Sequence, residues 1–544
     1  MKGYLAQHWN LPPTWLRFLV IVLLILGVFF RFANLDKKVY WHDESYTSLR
    51  ISGYTQAEVI RQVFNGDEIE SKDLQTYQHT NPHKKLSDTL YVLAVEAPHH
   101  PPLYYLMARF WIQLLGSSVA VTRSLSAFIS LFTFPGIYWL CLELFESSLA
   151  GWVGVALIAV SPFHLLYAQE AREYSLWTAI VLLSSAALLR AIRLQTKQSW
   201  IIYSAILVLG FYTHAWFSLV ALGHGFYVAG CKLNEINFKI FRLPNVLNHY
   251  LLATGFALLT FIPWILIIIR QMSQIRAATA WVDDDTFSLI NLTKNWILQL
   301  SSIFLDLNGN IFFALDYGED KLLTYLIRLP VLILSIYSIY ILCCTTRKKV
   351  WWFILTLIGV TGLTLMLPDL ILGWSISTVS RYLIPCYLGV QLSVIYLLST
   401  KTNLIYHKIW KQKFWHIVMA ALLSVEVLSC LVNSQAEVWW NKYSGIYNLK
   451  VAHIVNQSHR PLLIGNDEGD NFGNLLSLSY LLKPKVKLQL AAEVNKIKIK
   501  SDFSDIFLYN PSQAFHWEFE NKRKYRVEPV YKLKKYRELW RIKK

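Results

Sequence analysis

Eleven apolar runs, each near the length that spans a bilayer, constrain this chain more than anything else in it. They lie at about 15–33, 122–142, 149–167, 175–192, 200–216, 217–231, 250–269, 322–344, 350–368, 382–399 and 414–432. About 20 apolar residues cross the hydrocarbon core. A single segment crosses as a helix, because its backbone polar groups must then be satisfied internally. The expected fold is a polytopic α-helical membrane protein of about eleven spans. Only 16% of the 544 residues are charged, against roughly 25% in soluble domains, which argues against a soluble enzyme. The net charge of +17 does not signal nucleic acid, since the basic residues sit between apolar runs and in the tail. No basic patch interleaved with aromatics, as a strand-binding groove needs, is present.

Charge gives the sidedness. With Lys2 and Arg17 cytoplasmic, the connectors carrying Arg190, Arg193 and Lys197, then Lys232, Lys239 and Arg242, then Arg347 to Lys349, then Lys401 to Lys413 all fall on that side, as the positive-inside rule asks. Residues 34–121, the stretch 168–174, residues 270–321, residues 369–381 and the tail then share the opposite face. The first run lacks a small-residue cleavage site and reads as a retained signal anchor. Pro102 to Gly116 is apolar but only 15 residues long and carries Arg109; it reads as an interfacial helix. The chain thus divides into a transmembrane part, 1–432, whose first external loop, 34–121, holds juxtamembrane helices, and a small non-cytoplasmic C-terminal α/β unit, 433–544. In that unit, Pro461–Gly465 and Ile506–Tyr509 read as strands around a helix over Asn474–Leu482. Its basic end, with Lys522, Arg523, Lys524, Lys534, Lys535 and Arg537, reads as a solvated face or a contact to anionic headgroups. All six cysteines lie in or beside apolar runs, so no disulfide framework is implied.

Three polar clusters fall on the non-cytoplasmic face. The first loop opens with YWHDESY, in which Asp43 and Glu44 are adjacent acids close to the membrane. They read either as a helix start, with Asp43 as N-cap, or as a base whose proton affinity an enclosed aromatic setting can tune. The loop ends in APHHPPLYY, where His99 and His100 stand before two prolines that fix the entry to a helix. The third cluster, AQEAREYSL, carries Gln169, Glu170, Arg172, Glu173 and Tyr174. If helical, Glu170 and Glu173 share a face and Arg172 is left free to meet a phosphate; a satisfied ion network is the alternative. Arg123, Arg381 and His214 add polar groups at external span ends, and Arg328, His224 and Glu426 lie deeper, where interhelical pairing is expected. His79 and His83 are four apart, but no third ligand follows at zinc-site spacing. No Walker loop or dinucleotide fingerprint occurs, which disfavours ATP-driven transport.

In order, the acid pair after the first span, HPPLYY leading to the Arg123–Ala127 span start, and SP-x5-AQEAREYSL after two more spans resemble the GT-C membrane glycosyltransferases that use polyprenyl-phosphate sugars. This is the superfamily of protein O-mannosyltransferases (glycosyltransferase family 39) and lipid A aminoarabinose transferases. Where the O-mannosyltransferases read HPPLGK, this chain has Tyr104 and Tyr105. The resemblance covers residues 15–220 and, through RYLIP, the region of Arg381. It implies an inverting transfer of a sugar to an acceptor hydroxyl, with Asp43 as base and Glu44 as the adjacent acid. It places His100, Arg123, Glu170, Arg172, Tyr174 and Arg381 at the substrate. The implied partners are a polyprenyl-phosphate sugar and a lipid, glycan or protein acceptor, with a divalent metal left open and a bacterial inner membrane, with a periplasmic active site, as the setting. The competing expectation is a transporter or flippase of lipid-linked sugars, which repeated halves and broken helices would betray.

Overall fold

The computed structural model describes residues 14–232, 245–280, 282, 288–307, 322–403, 409–533 and 537–543. The chain opens with α1 (Thr14–Phe32), then forms α2 (His42–Ser52), strand β1 (Asn65–Glu70), α3 (Leu86–Glu96) and α4 (Leu103–Leu115). It continues through α5 (Val119–Phe145), α6 (Ser148–Val160), α7 (Pro162–Ala168), α8 (Tyr174–Leu194), α9 (Lys197–Phe211) and α10 (Phe217–Lys232). The remaining apolar part comprises α11 (Asn245–Arg270), α12 (Leu289–Ser302), α13 (Thr324–Thr345), α14 (Lys348–Leu372), α15 (Ser380–Lys401) and α16 (Ile409–Gln435). Among the described residues eight helices are long and apolar enough to cross a membrane, and nine if the bent pair α6–α7 is one span. The shorter apolar helices α9 and α10 occupy the other two of the eleven runs. The chain is an integral, multi-pass membrane protein. On α1 the buried positions Leu16, Val20, Leu23 and Gly27 recur at helical spacing, while the opposite face, with Phe18, Ile21, Ile25 and Phe29, is exposed and equally apolar. A helix that is apolar all round suits lipid on its outer face.

The bend of 58° between α6 and α7 has a local cause. Pro162 has no N–H, so the carbonyl of Ile158 loses its helical donor. Arg31 of α1, fully buried, replaces it: its guanidinium donates to the carbonyls of Ile158 at 3.1 Å and Ala159 at 2.6 Å, and to Ser130 Oγ at 3.0 Å. The helices approach closely there because residue 27 is glycine; a Cβ at that position would stand 2.4 Å from the Ala159 carbonyl oxygen.

Arg109 of α4 turns inward, where it donates to the Ile51 carbonyl at 2.8 Å, to Thr89 Oγ1 at 2.9 Å and to the Lys84 carbonyl. It thereby ties α4 to the end of α2 and the start of α3. Phe110, Leu114 and Leu115 of α4 stay exposed. The deeper polar residues find different surroundings: His224 meets Ser185 and Tyr203, Arg328 donates to the Thr324 carbonyl, and neither oxygen of the buried Glu426 has a hydrogen-bond partner.

Beyond α16 come α17 (Tyr443–Gln457), β2 (Pro461–Gly465), α18 (Asn471–Leu478), β3 (Lys487–Ala491), β4 (Asp505–Tyr509), β5 (Arg526–Leu533) and β6 (Arg537–Lys543). Sheet order is β1-β3-β2-β4-β6-β5, with the central β3-β2-β4 parallel and the outer pairings antiparallel. The all-buried PLLIG of β2 is the unbroken apolar run that a strand covered on both faces requires. Strand β1 belongs to the first external loop and pairs with β3 from Asn65 opposite Ala491 to Glu70 opposite Lys487. Hydropathy alone did not show this strand, because NGDEIE is polar and sits at a sheet edge. Helix α18 packs on α2 at Gly473, where a Cβ would lie 2.5 Å from the Tyr46 ring and 2.9 Å from His42 Nδ1. Several of the basic residues near the C-terminal end are paired with acids: Lys522 with Glu518 and Lys543 with Glu528, both at 2.6 Å, and Arg537 with Asp470.

Candidate active site

Asp43 and Glu44 open α2, and a helix turns neighbouring side chains about 100° apart, so the two acids diverge. Glu44 points into the protein and is fully buried. Arg123 grips it with Nε to Oε1 and Nη2 to Oε2, each at 2.7 Å. Lys442 Nζ lies 2.6 Å from Oε2 and the Ala171 N–H donates to Oε1 at 2.9 Å. Burial opposes ionisation of Glu44, but Arg123 and Lys442 hold its carboxyl down at about 2. Arg123 spends its three remaining donors on the carbonyls of Leu35, Lys38 and Val39. All five of its N–H groups are therefore committed, and none is left for a phosphate. The pair expected as adjacent catalytic acid and phosphate ligand is instead a buried clamp joining α1's exit, α2, α5 and the loop before α8.

Asp43 faces the other way, with 21% of its side chain exposed, and meets Arg381, itself 19% exposed, at 3.4 Å. Thr47 and Arg50, four and seven residues on, share its helical face. Burial raises the Asp43 carboxyl, yet Arg381, Arg172, His42 and Arg50 outweigh it and hold Asp43 below its ordinary value. It is ionised at neutral pH.

The loop 169–173 is not helical, so Glu170 and Glu173 do not share a face. Glu173 accepts from His100 Nδ1 at 2.9 Å and forms an ion pair with Arg172, whose Nε lies 3.5 Å away without a hydrogen bond. Arg172 also donates toward His100 Nε2 at 3.2 Å. A nitrogen that accepts from a guanidinium carries no proton, so His100 is neutral and donates from Nδ1 to Glu173. Burial likewise pushes the His100 imidazole well below its usual value. Arg172 is thus paired rather than free, and His100 is neutral and bonded on both ring nitrogens. Glu170 goes elsewhere: Asn441 Nδ2 donates to Oε2 at 2.7 Å, and Oε1, though buried, has no hydrogen-bond partner. Burial is the largest influence and pushes the Glu170 carboxyl up to about 7.

Arg381 is caged by aromatic rings, its guanidinium carbon 5.5 Å from the Tyr174 ring centre, 5.6 Å from Tyr382 and 5.9 Å from Trp41. Tyr174 also lies under Arg172, at 5.6 Å. Beside Asp43 in the chain, or acting on its charge, Trp41 Nε1, His42 Nδ1, Arg50 Nε, Arg172 Nε and Arg381 Nε are buried with no hydrogen-bond partner. Such atoms are costly unless a ligand or water meets them. His214 stacks flat on Trp177 at 4.1 Å and does not reach Asp43 by any hydrogen bond among the described residues.

A cavity of about 580 Å³ runs between α3, α4 and α11, lined by Leu90, Tyr91, Ala94, Leu103, Leu106 and Ile267 among others. Trp264 closes one wall by donating to the Pro98 carbonyl at 2.9 Å, and Pro102, two residues after His100, forms another. The walls are mostly apolar. Among the described residues no three His, Cys, Asp or Glu side chains are grouped to hold a metal ion. Glu44 and Glu173 are held by cations, whereas Glu170 keeps one buried oxygen without a partner.

Sequence reading missed Arg50 and Lys442. Arg50 carries a signal in its spacing, since it recurs seven residues after Asp43 on the same helical face. Lys442 carries none, for a lysine just past the last span reads as a snorkelling group.

No family model matches the chain, and no curated protein does. Among solved structures it is similar to the apo oligosaccharyltransferase of Archaeoglobus fulgidus, with 11% identity and a TM-score of 0.49 over 88% of this chain and 65% of that one. It is similar also to ArnT of Cupriavidus metallidurans in the apo state, with 11% identity and a TM-score of 0.48 over 97% of both chains. ArnT bound to undecaprenyl phosphate gives 11% and 0.45 over 97% of this chain and 98% of that one. Both are GT-C fold glycosyltransferases. This chain spans just under two thirds of the oligosaccharyltransferase.

Proposed function

We propose that the chain is a membrane glycosyltransferase that moves a sugar from a polyprenyl-phosphate donor to an acceptor hydroxyl at the non-cytoplasmic face. The observation that carries this reading is the partly open Asp43–Arg381 pair with unpartnered buried nitrogens on Arg50, Arg172 and Arg381; an apolar cavity whose wall includes Pro102, two residues after His100, supports it. Three guanidiniums, of Arg50, Arg172 and Arg381, stand near the two carboxylates of Asp43 and Glu173. The surplus of positive charge matches the single negative charge of a phosphodiester. The isoprenoid chain takes the apolar cavity, its phosphate takes Arg381 and Arg50, and the sugar lies toward Asp43 and the free oxygen of Glu170.

The chemistry follows from the Asp43–Arg381 contact. In the resting protein Arg381 draws on Asp43 and weakens it as a base. A phosphate arriving at Arg381 competes for that charge and releases Asp43, whose proton affinity then rises. Asp43 removes the acceptor's hydroxyl proton as the oxygen attacks the anomeric carbon. The bond to the phosphate oxygen breaks, and its electron pair leaves with polyprenyl phosphate. A phosphate monoester ionises readily, with a second pKa near 6, so no protein acid is needed for departure. Attack in line inverts the anomeric centre. Arg381 and Arg50 meet the growing phosphate charge, where preorganised donors act most strongly, and Tyr174 holds Arg381 in place by its ring. Arg172 is held by Glu173 and His100 and keeps Thr47 and the start of α2 in register.

The test is transfer of label from a panel of polyprenyl-phosphate sugars in native-host membranes, comparing wild type with Arg381→Gln. The expected outcome is label moving to one acceptor fraction with wild type, and a donor KM raised about 10-fold or more in the variant, in line with loss of a charge-assisted contact. Label moved equally well at unchanged KM would overturn the phosphate assignment. Donor carried across sealed vesicles with no sugar transferred would favour the transporter.

A further inference from the structure

The turn that links the last membrane helix to the C-terminal unit is built unlike a linker. From Trp439 to Lys442 four successive side chains are buried. The indole N–H groups of Trp439 and Trp440 both donate at 2.8 Å to Oδ2 of Asp306, in the segment after α12. Asn441 donates to Glu170 at 2.7 Å, and Lys442 reaches Glu44 at 2.6 Å. Just upstream, the Glu437 carbonyl accepts the N–H of Val39 at 2.8 Å, on the approach to α2. One turn thus grips three separate loops at the same end of the bundle.

Burying a lysine is costly, and charge balance does not require this one. Arg123 already neutralises Glu44 with two hydrogen bonds. What Lys442 adds is geometry. It fixes the Glu44 oxygen that also takes the Trp41 N–H, and so sets the first turn of α2, from which Asp43 projects. Asn441 does the same for Glu170, two residues before Arg172. Because α17 begins at Tyr443, any movement of the C-terminal unit is passed through this turn to both sides of the reacting centre.

We infer that Trp439–Lys442 is a positioning element of the reaction, in which Lys442 and Asn441 set the placement of Asp43 and Arg172 through Glu44 and Glu170. The inference rests on the reading of Asp43 as base. The C-terminal unit is on this account part of the catalytic architecture, holding the base in register with the donor, and it touches no substrate through this turn.

The experiment uses the full chain in native-host membranes. Kinetics and melting temperature are measured for Lys442→Met, for Asn441→Ala, and for Asp43→Asn. Lys442→Met is expected to lower kcat about 10- to 100-fold, the scale of a displacement near 1 Å, with donor KM within about twofold. Arg123 still neutralises Glu44 in Lys442→Met, so its melting temperature is expected to fall far less than its kcat. If the turn serves stability alone, Lys442→Met lowers the melting temperature and leaves kcat per folded molecule unchanged, and that result overturns the inference. Should Lys442→Met fail to fold, Asn441→Ala decides by the same split between kcat and KM. Wild-type turnover by Asp43→Asn would remove the base and this inference with it, whereas an inactive Asp43→Asn beside a fully active Lys442→Met would remove the inference only.

Discussion

Replacing Arg31 by methionine tests whether the break between α6 and α7 is held as the structure shows. The substitution keeps the length of the side chain and removes its donors. It leaves the carbonyls of Ile158 and Ala159 without the guanidinium that now meets them at 3.1 and 2.6 Å. An orphaned buried carbonyl costs about 1–3 kcal/mol, so two cost about 2–6 kcal/mol. Relief from burying a guanidinium works in the opposite direction and puts the net loss in the lower half of that range, about 2–4 kcal/mol. This is a large part of the roughly 5–15 kcal/mol that separates folded from unfolded states. Gly27→Ala attacks the same contact from the other side. Its Cβ would have to move about 1 Å from the Ala159 oxygen to reach ordinary contact, an overpacking loss of about 1–3 kcal/mol. Because both changes strain one helix pair, their effects in the double variant are expected to fall short of the sum. Thermal unfolding in detergent, followed by the monodisperse fraction, measures all three, with Ile25→Val on the lipid-facing side of α1 as the control. A wild-type melting point for Arg31→Met, or additive losses in the double variant, would refute the reasoning.

Three further outcomes follow from the site. Glu170 has its carboxyl pushed up to about 7 in the folded protein, so the folded state binds its proton more tightly than the unfolded one. Stability from this group is complete below about 4.5 and declines as pH rises toward 7; Glu170→Gln is expected to flatten the melting-temperature profile across that window, and an unchanged profile would contradict the assignment. Arg123→Lys keeps the charge but has three donors for five acceptors; two orphaned buried acceptors cost about 2–6 kcal/mol, so little folded protein is expected by size-exclusion profile. Gly473→Ala drives a methyl into Tyr46 and His42 and is expected to lower turnover more than expression, read as specific activity per folded molecule.

The membrane part was legible because hydropathy is a property of each segment alone: each of the eleven apolar runs corresponds to an apolar helix. The bend at Pro162 was also there to be read as a proline, but its partner Arg31, 131 positions upstream in contact with Ala159, was not. At the site, Asp43 and Arg381 were legible as polar residues at one face. The division of labour between Asp43 and Glu44 was not, since adjacent letters give no sign of which acid turns inward. His100 and Arg172 looked cationic and free until the geometry of Glu173 showed both to be spoken for. The sheet strand from the first loop escaped notice because its pairing partner lies more than 400 residues away.

The most direct test of the account is label transfer by Asp43→Asn in membranes where its folding and its binding of polyprenyl phosphate match wild type. Loss of transfer by a factor of about 10² or more, the scale of general base catalysis, with donor binding retained, is the result the account predicts. Turnover equal to wild type would contradict it, whatever the remaining residues do.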